Sequence, residues 1–226
     1  MPVKKQKQKK EKNIFKGAIF DVDGVIVDTA GIHHKSWEIV FKNYGITFTF
    51  KDFKTKIDGK PRAQGARTIL PDISEDEIEK ICAEKQLHFE KILNAGRIKV
   101  FKTTLSFIKL LKKKGIKLAM ASSSRNAGAI LKKVKIYPLF DAEVKGSELK
   151  RGKPYPEIFL TAAGKLGLKP TECVVFEDAQ IGIDAALNGG IRCVAINRAG
   201  THRIKGADLR VKDFRELSFK KIAGLF

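Results

Sequence analysis

The chain has 226 residues, enough for one large domain or a domain with a modest insert, and its 43% hydrophobic content can fill a core. Lysine and arginine number 45 against 25 acids, a formal charge of +20 that suits anionic ligands without naming one. No apolar run approaches the ~18 residues of a membrane span, and the first residues form no apolar leader, so no membrane partner is expected.

In chain order, residues 1–13 come first as a basic tail, with Lys4, Lys5, Lys7, Lys9, Lys10 and Lys12 against Glu11. It lacks aromatics, arginines and an amphipathic period, so it reads as a disordered, solvated arm rather than a nucleic-acid-binding segment. Gly17-Ala18-Ile19-Phe20 opens a buried parallel strand over 17–22. Residues 31–44 carry Ile32, Trp37, Val40, Phe41 and Tyr44 at roughly helical spacing, and Gly45 ends that helix. Helical patterning continues through Phe53, Ile57, Ala66 and Ile69-Leu70. Ser74 with Glu77 reads as a capping box starting a helix that runs to about Leu93. Residues 28–97 are thus expected to form an all-helical block without a strand.

From Thr103 the pattern changes to alternating helix and strand. Helices are expected over 103–114, 126–134, 156–166 and 181–187, and strands over 117–121, 142–144, 173–176 and 192–196. This alternation predicts an α/β fold with a parallel sheet covered by helices on both faces, interrupted after its first strand by the helical block. Cys82, Cys173 and Cys193 are odd in number and widely spaced, which points to free thiols and a cytoplasmic setting.

Chemistry-bearing residues recur at the carboxyl ends of the predicted strands, where open α/β sheets bind ligands. Asp21 and Asp23 follow the first strand. Two carboxylates this close must share a proton or a cation. Ser122 follows Leu118-Ala119-Met120-Ala121, Lys153 lies in Gly152-Lys153-Pro154 before a helix, and Glu177-Asp178 follows Val174-Val175-Phe176. Singly, each has a plain structural reading: a helix cap, a solvated loop residue, a turn. All four in this order are not a joint accident.

From Phe15 to about Leu217 the four motifs resemble those of the haloacid dehalogenase superfamily. The resemblance implies a Rossmann-like haloacid dehalogenase core over 14–27 and 98–226, with an inserted α-helical cap over 28–97. It implies Asp21 as a nucleophile forming an aspartyl-phosphate, and Asp23 as general acid/base. Ser122 and Lys153 would bind the phosphoryl group. Mg²⁺ would be held by Asp21, Asp23 (through its backbone carbonyl), Glu177 and Asp178.

The cap segment is similar to that of the β-phosphoglucomutase-like family. Asp28-Thr29-Ala30 with His33 and Trp37 match the start of that cap, where His33 would couple closure to proton handling by Asp23. Gly59 and Arg62 in Asp58-Gly59-Lys60-Pro61-Arg62 match its Gly-x-x-Arg loop, whose arginine holds a far phosphate. Asp58 stands where many members carry lysine. Lys85 matches a cap lysine facing the substrate. Ser124, Arg125 and Asn126 match residues that bind the phosphate not being transferred, joined by amides of a helix beginning near Asn126. The implied reaction is interconversion of β-D-glucose 1-phosphate and glucose 6-phosphate through a sugar bisphosphate. The alternative is a Mg²⁺-dependent sugar-phosphate phosphatase. The expected partner is a small sugar phosphate, and the expected state a monomer.

Overall fold

The computed structural model describes residues 14–198, 200 and 204–226. The expected basic arm over 1–13 lies outside them. In chain order the elements are β1 (Gly17–Phe20), β2 (Val27–Asp28), α1 (Ala30–Lys42), α2 (Phe50–Asp52), α3 (Arg62–Ile69), α4 (Glu75–Ala95), β3 (Lys99–Val100), α5 (Lys102–Lys113) and β4 (Lys117–Ser122). They continue as α6 (Ala127–Lys133), β5 (Ala142–Lys145), α7 (Glu157–Lys165), β6 (Cys173–Glu177), α8 (Gln180–Asn188), β7 (Arg192–Ile196), β8 (Leu209–Val211) and α9 (Phe219–Ala223).

Six strands form one parallel sheet in the order β5-β4-β1-β6-β7-β8. The chain begins at the centre, builds outward through β4 and β5, then returns to the other side of β1 with β6. The topological switch point therefore falls between β1 and β6, where a ligand crevice is expected. Register completes the placement. Phe20 pairs with Met120 on one side and Phe176 on the other. The next residues along the three strands therefore emerge together.

Alternation along the strands divides the core between two faces. Phe20, Met120 and Phe176 pack with Phe107 and Ile108 of α5 and Ile130 of α6. Ile19, Ala119 and Val175 pack with Ile158 and Phe159 of α7 and Ile183 of α8. Cys173 and Cys193 are buried free thiols in this second layer. A third cluster, with Trp37, Phe41, Phe53, Ile57, Ala66 and Ile81, is the cap's own core.

Several expectations are corrected. β1 stops at Phe20 rather than residue 22. Asp21 donates its amide to Phe176 O at 3.0 Å, and the chain then turns. The strandless block over 28–97 is entered through a strand: Val27 and Asp28 of β2 pair antiparallel with Val100 and Lys99 of β3, joining the two linkers. β8 was not expected. Ser74 caps α4 by accepting from Glu77 N, but the box does not close, because the Glu77 carboxylate accepts from Tyr44 Oη instead. Phe53–Ile57 forms a π-helical turn after α2, ending where Asp58 N donates to Phe53 O at 2.9 Å.

Candidate active site

A cavity of about 830 Å³ lies between the strand tips and the cap. Its wall includes Asp21, Asp23, Ser122, Ser124, Arg125, Lys153, Glu177 and Asp178 from the core. His33, Gly59, Arg62 and Lys85 line it from the cap. Of the residues singled out in the sequence, Asn126 is set back behind this wall.

At the floor, Lys153 Nζ donates to Asp21 Oδ1 at 2.7 Å and to Glu177 Oε1 at 2.5 Å, all three side chains being buried. Burial alone disfavours the Lys153 charge, but Asp21 and Glu177 outweigh it and hold its pKa above the ordinary lysine value. The Asp21 pKa is raised as well, which for a carboxyl favours the neutral form. Burial raises its pKa, Lys153 opposes that, and Glu177 and Asp23 add to it. Glu177 Oε2 accepts from the amides of Asp178 and Ala179 at 2.6 and 2.9 Å. Both Glu177 oxygens thus have partners, and Glu177 acts here as the anchor of Lys153.

Asp21, Glu177 and Asp178 offer oxygens all within 4.8 Å of one another, a set that could hold a metal ion. Asp178 is also pushed up in pKa, first by burial and then by Asp58 and Glu177. Three converging carboxylates with one buried lysine leave negative charge that a hard divalent cation with oxygen ligands would neutralise, so the residues fit Mg²⁺. The approach is tight. A Cβ on Gly24, whose φ is +83°, would stand 2.1 Å from Asp178 Oδ2, so this turn admits only glycine.

Asp23 sits one step higher. Thr29 Oγ1 donates to its Oδ1, Ser122 Oγ donates to its Oδ2 at 3.3 Å, and His33 Nε2 stands 3.4 Å from Oδ1 without a hydrogen-bond partner. Burial raises the Asp23 pKa, but His33, Thr29 and Lys85 together bring it below the ordinary value, which keeps the carboxylate ionised. Lys85 Nζ lies 3.0 Å from His33 Nδ1. A lysine donating to Nδ1 leaves the ring proton on Nε2, facing Asp23. Lys85 lies over the Phe89 ring at 4.5 Å, and burial with Arg62 nearby lowers its pKa to about 7.

The far wall is cationic. Arg62 starts α3 and donates from Nη1 to Cys82 O at 3.1 Å and from Nη2 to Gln86 Oε1. Burial lowers its pKa, and the charge of Arg125 across the cleft adds to this. Ser124 N donates to Ser122 Oγ at 3.0 Å and Asn126 N to Ser124 Oγ at 3.3 Å. This last bond and the seven-residue length of α6 leave little of the expected helix-terminus site. The Asn126 side chain pairs with Gln86 instead of facing the cavity.

In the cap loop, Gly59 has φ +78° and lies against Ile181 and Ala179 of the core. Asp58 pairs with Lys54, whose Nζ also lies 3.7 Å from Asp178 Oδ2. A lysine thus reaches this loop from one turn before Asp58. Lys54 and Gln86 carried no signal in the sequence, and Thr29 figured only in the match to the start of the cap. A lysine in a basic stretch and a glutamine on an exposed helix read as solvated until the fold places them.

Residues 15–190 match the family model of haloacid dehalogenase-like hydrolases. β-Phosphoglucomutase of Bacillus subtilis is 34% identical over 213 residues, covering 91% of this chain and 92% of that protein. A phosphorylated carbohydrates phosphatase of Thermotoga maritima is 34% identical over 182 residues, covering 76% of this chain and 81% of that protein. Among solved structures, β-phosphoglucomutase of Clostridium difficile superposes with a TM-score of 0.85 at 29% identity, covering 92% of this chain and 96% of that one.

Proposed function

The chain belongs to the haloacid dehalogenase-like hydrolases and is an enzyme acting on phosphate groups, and we propose that it is a phosphomutase interconverting β-D-glucose 1-phosphate and glucose 6-phosphate. The observation that carries this reading is the second cationic wall. Arg62 of the cap and Arg125 of the core both line the cavity that also holds Asp21 and Lys153, close enough for each to feel the other's charge. Two like charges brought together in a half-buried cleft favour an anion between them, and a guanidinium suits a phosphate's geometry. A sugar with phosphate at both ends could lie in either direction between floor and wall. A monophosphate-specific phosphatase has less use for two such ends.

In this reading Asp21 attacks phosphorus and carries the phosphoryl group as an aspartyl-phosphate. Lys153 neutralises the phosphoryl oxygens and Ser122 donates a hydrogen bond to them. Asp23, held ionised, takes the proton from the accepting sugar hydroxyl. In the return half it gives that proton to the departing sugar oxygen. Mg²⁺, held by Asp21 and Asp178 with Glu177 beside them and, as the resemblance implies, by the Asp23 carbonyl, would supply positive charge against the phosphoryl oxygens. Closure of the cap over the site keeps water from the aspartyl-phosphate. Arg62, Ser124 and Arg125 hold the other phosphate, with Asn126 behind them.

The second reading is a sugar-phosphate phosphatase. It is favoured by the Thermotoga maritima relative and by Asp58 in the cavity wall, a carboxylate where many members of the β-phosphoglucomutase-like family carry lysine. The deciding experiment is NMR of β-glucose 1-phosphate with Mg²⁺ and a trace of glucose 1,6-bisphosphate. The mutase yields glucose 6-phosphate with phosphorus conserved. Inorganic phosphate released as fast as the sugar phosphate disappears would reject it in favour of the phosphatase.

A further inference from the structure

Gln86 follows Lys85 on α4, and its side-chain amide is fully engaged. Oε1 accepts from Arg62 Nη2 and from Asn126 Nδ2, the latter at 3.2 Å. Nε2 donates to Asn126 Oδ1 at 2.7 Å and to Glu90 Oε1 at 2.5 Å. An amide has two donor hydrogens and two lone pairs, so no capacity is left over. Its partners come from both sides of the cleft. Arg62 is in the cap, while Asn126 is the N-cap residue of α6 in the core and is 8% exposed. Asn126 in turn is tied through its amide to Ser124, and Ser124 to Ser122. One glutamine thus connects the cap arginine to the core loop carrying Ser124 and Arg125.

We infer that Gln86 is a positioning residue for the distal phosphate: it binds Arg62 and Asn126 to one amide, so that seating the cap on the core and assembling the distal grip are a single event. The inference rests on the sugar-phosphate reading above and adds a specificity element to it. Among the described residues, Arg62 without Gln86 keeps only the Cys82 carbonyl as a hydrogen-bonded tether. Its guanidinium is then free to swing away from Arg125, and the two halves of the grip need not arrive together. Substrates with a second phosphate lose an organised partner, whereas a lone phosphate at the Asp21 floor loses far less.

The test is calorimetric titration of glucose 1,6-bisphosphate and of inorganic phosphate, each with Mg²⁺, into protein carrying Asp21→Asn, with and without a change at Gln86. Gln86→Ala is expected to raise the bisphosphate Kd about tenfold, the scale of one hydrogen bond to a charged group. The Kd for inorganic phosphate should rise less than about threefold. Gln86→Met preserves the side chain's length, adds no charge and removes the hydrogen bonds of the amide. It should also weaken bisphosphate binding selectively, and melting temperatures recorded for each variant separate the effect from loss of fold. Combining Gln86→Ala with Asn126→Ala should cost less than the product of the two single losses, because both break the same bridge. Equal losses for both ligands, or fully multiplicative losses in the double variant, would overturn the assignment. A bisphosphate that binds the Asp21→Asn protein no tighter than inorganic phosphate is a different outcome. It removes the sugar-phosphate reading, and the role of Gln86 falls with it.

Discussion

The floor and the roof of the cavity are built by different rules. The floor is built at three strand tips: Asp21 after β1 level with Glu177 at the end of β6, and Ser122, one residue further, at the end of β4, with Lys153 tied between Asp21 and Glu177. Its geometry follows from sheet pairing, and Lys153 offsets only part of its negative charge. The roof is helix-borne. His33, Arg62, Lys85 and Gln86 come from three helices and depend on side-chain pairs for their positions. A floor locked by backbone register suits a step that tolerates little displacement. A roof held by exchangeable side-chain bonds suits a surface that must meet and release a substrate. Substitutions in the floor should therefore act on the chemical step, and those in the roof on which substrate is used.

The largest effect is expected at the floor. Asp21→Asn keeps the shape but removes the attacking carboxylate, so turnover should fall by a factor on the order of 10⁴ or more. No acid-stable, base-labile phosphoenzyme should form, as followed by mass spectrometry of quenched reactions. Next is Asp23→Asn, which removes the proton carrier while leaving Asp21, Lys153 and the acidic cluster in place. Sugar-phosphate turnover should fall about 10²–10⁴-fold. Phosphorylation by acetyl phosphate, whose leaving group needs no proton, should survive in stopped-flow measurements. Equal loss for both donors would erase the proposed division between the two aspartates.

The same contrast explains what could be read from the sequence. The floor residues follow short apolar runs, and a parallel strand places whatever comes next at the ligand face. Strand recognition alone was thus enough to bring Asp21, Ser122 and Glu177 together. β8 escaped notice because Leu209-Arg210-Val211 is three residues with a charge at its centre. The β2–β3 pair is shorter still, and its pairing joins segments on either side of the whole cap. In the roof, two partners of Gln86, Arg62 and Asn126, lie 24 and 40 residues away, on α3 and at the start of α6. No local period encodes such a meeting. Asn126 shows the limit most clearly: the motif pointed to the cavity wall, while packing turned its amide toward the cap.

In the roof, Arg62→Ala should raise KM for the sugar phosphate about 10–100-fold, the cost of a lost charge-assisted bond to an anion. Its effect on a small aryl phosphate, which has no distal group, should be at least about tenfold smaller. Steady-state kinetics on the two substrates measures the ratio. Equal effects would mean that Arg62 serves the cap's fold and not the ligand.

The smallest effect concerns stability and comes from Lys85. It is buried against Phe89, 3.0 Å from His33 Nδ1, and faces Arg62 and Cys82, with Asp23 as its nearest opposing charge. Its pKa is lowered from 10.5 to about 7, first by burial and then by Arg62. Between these values the unfolded chain holds a proton that the folded protein has released, so this group adds stability as pH rises through that window. Below about 7 both states carry the charge and the cost of burying it is present in full. Lys85→Met keeps the length and removes the charge. It should raise the melting temperature by a few degrees near pH 6, with the gain shrinking as pH climbs toward about 9. A gain that stays constant across that range would show that the buried ammonium is not the source of the cost. A destabilised variant at low pH would show that Asp23 and the His33 bond outweigh burial, making Lys85 a structural tie of the roof.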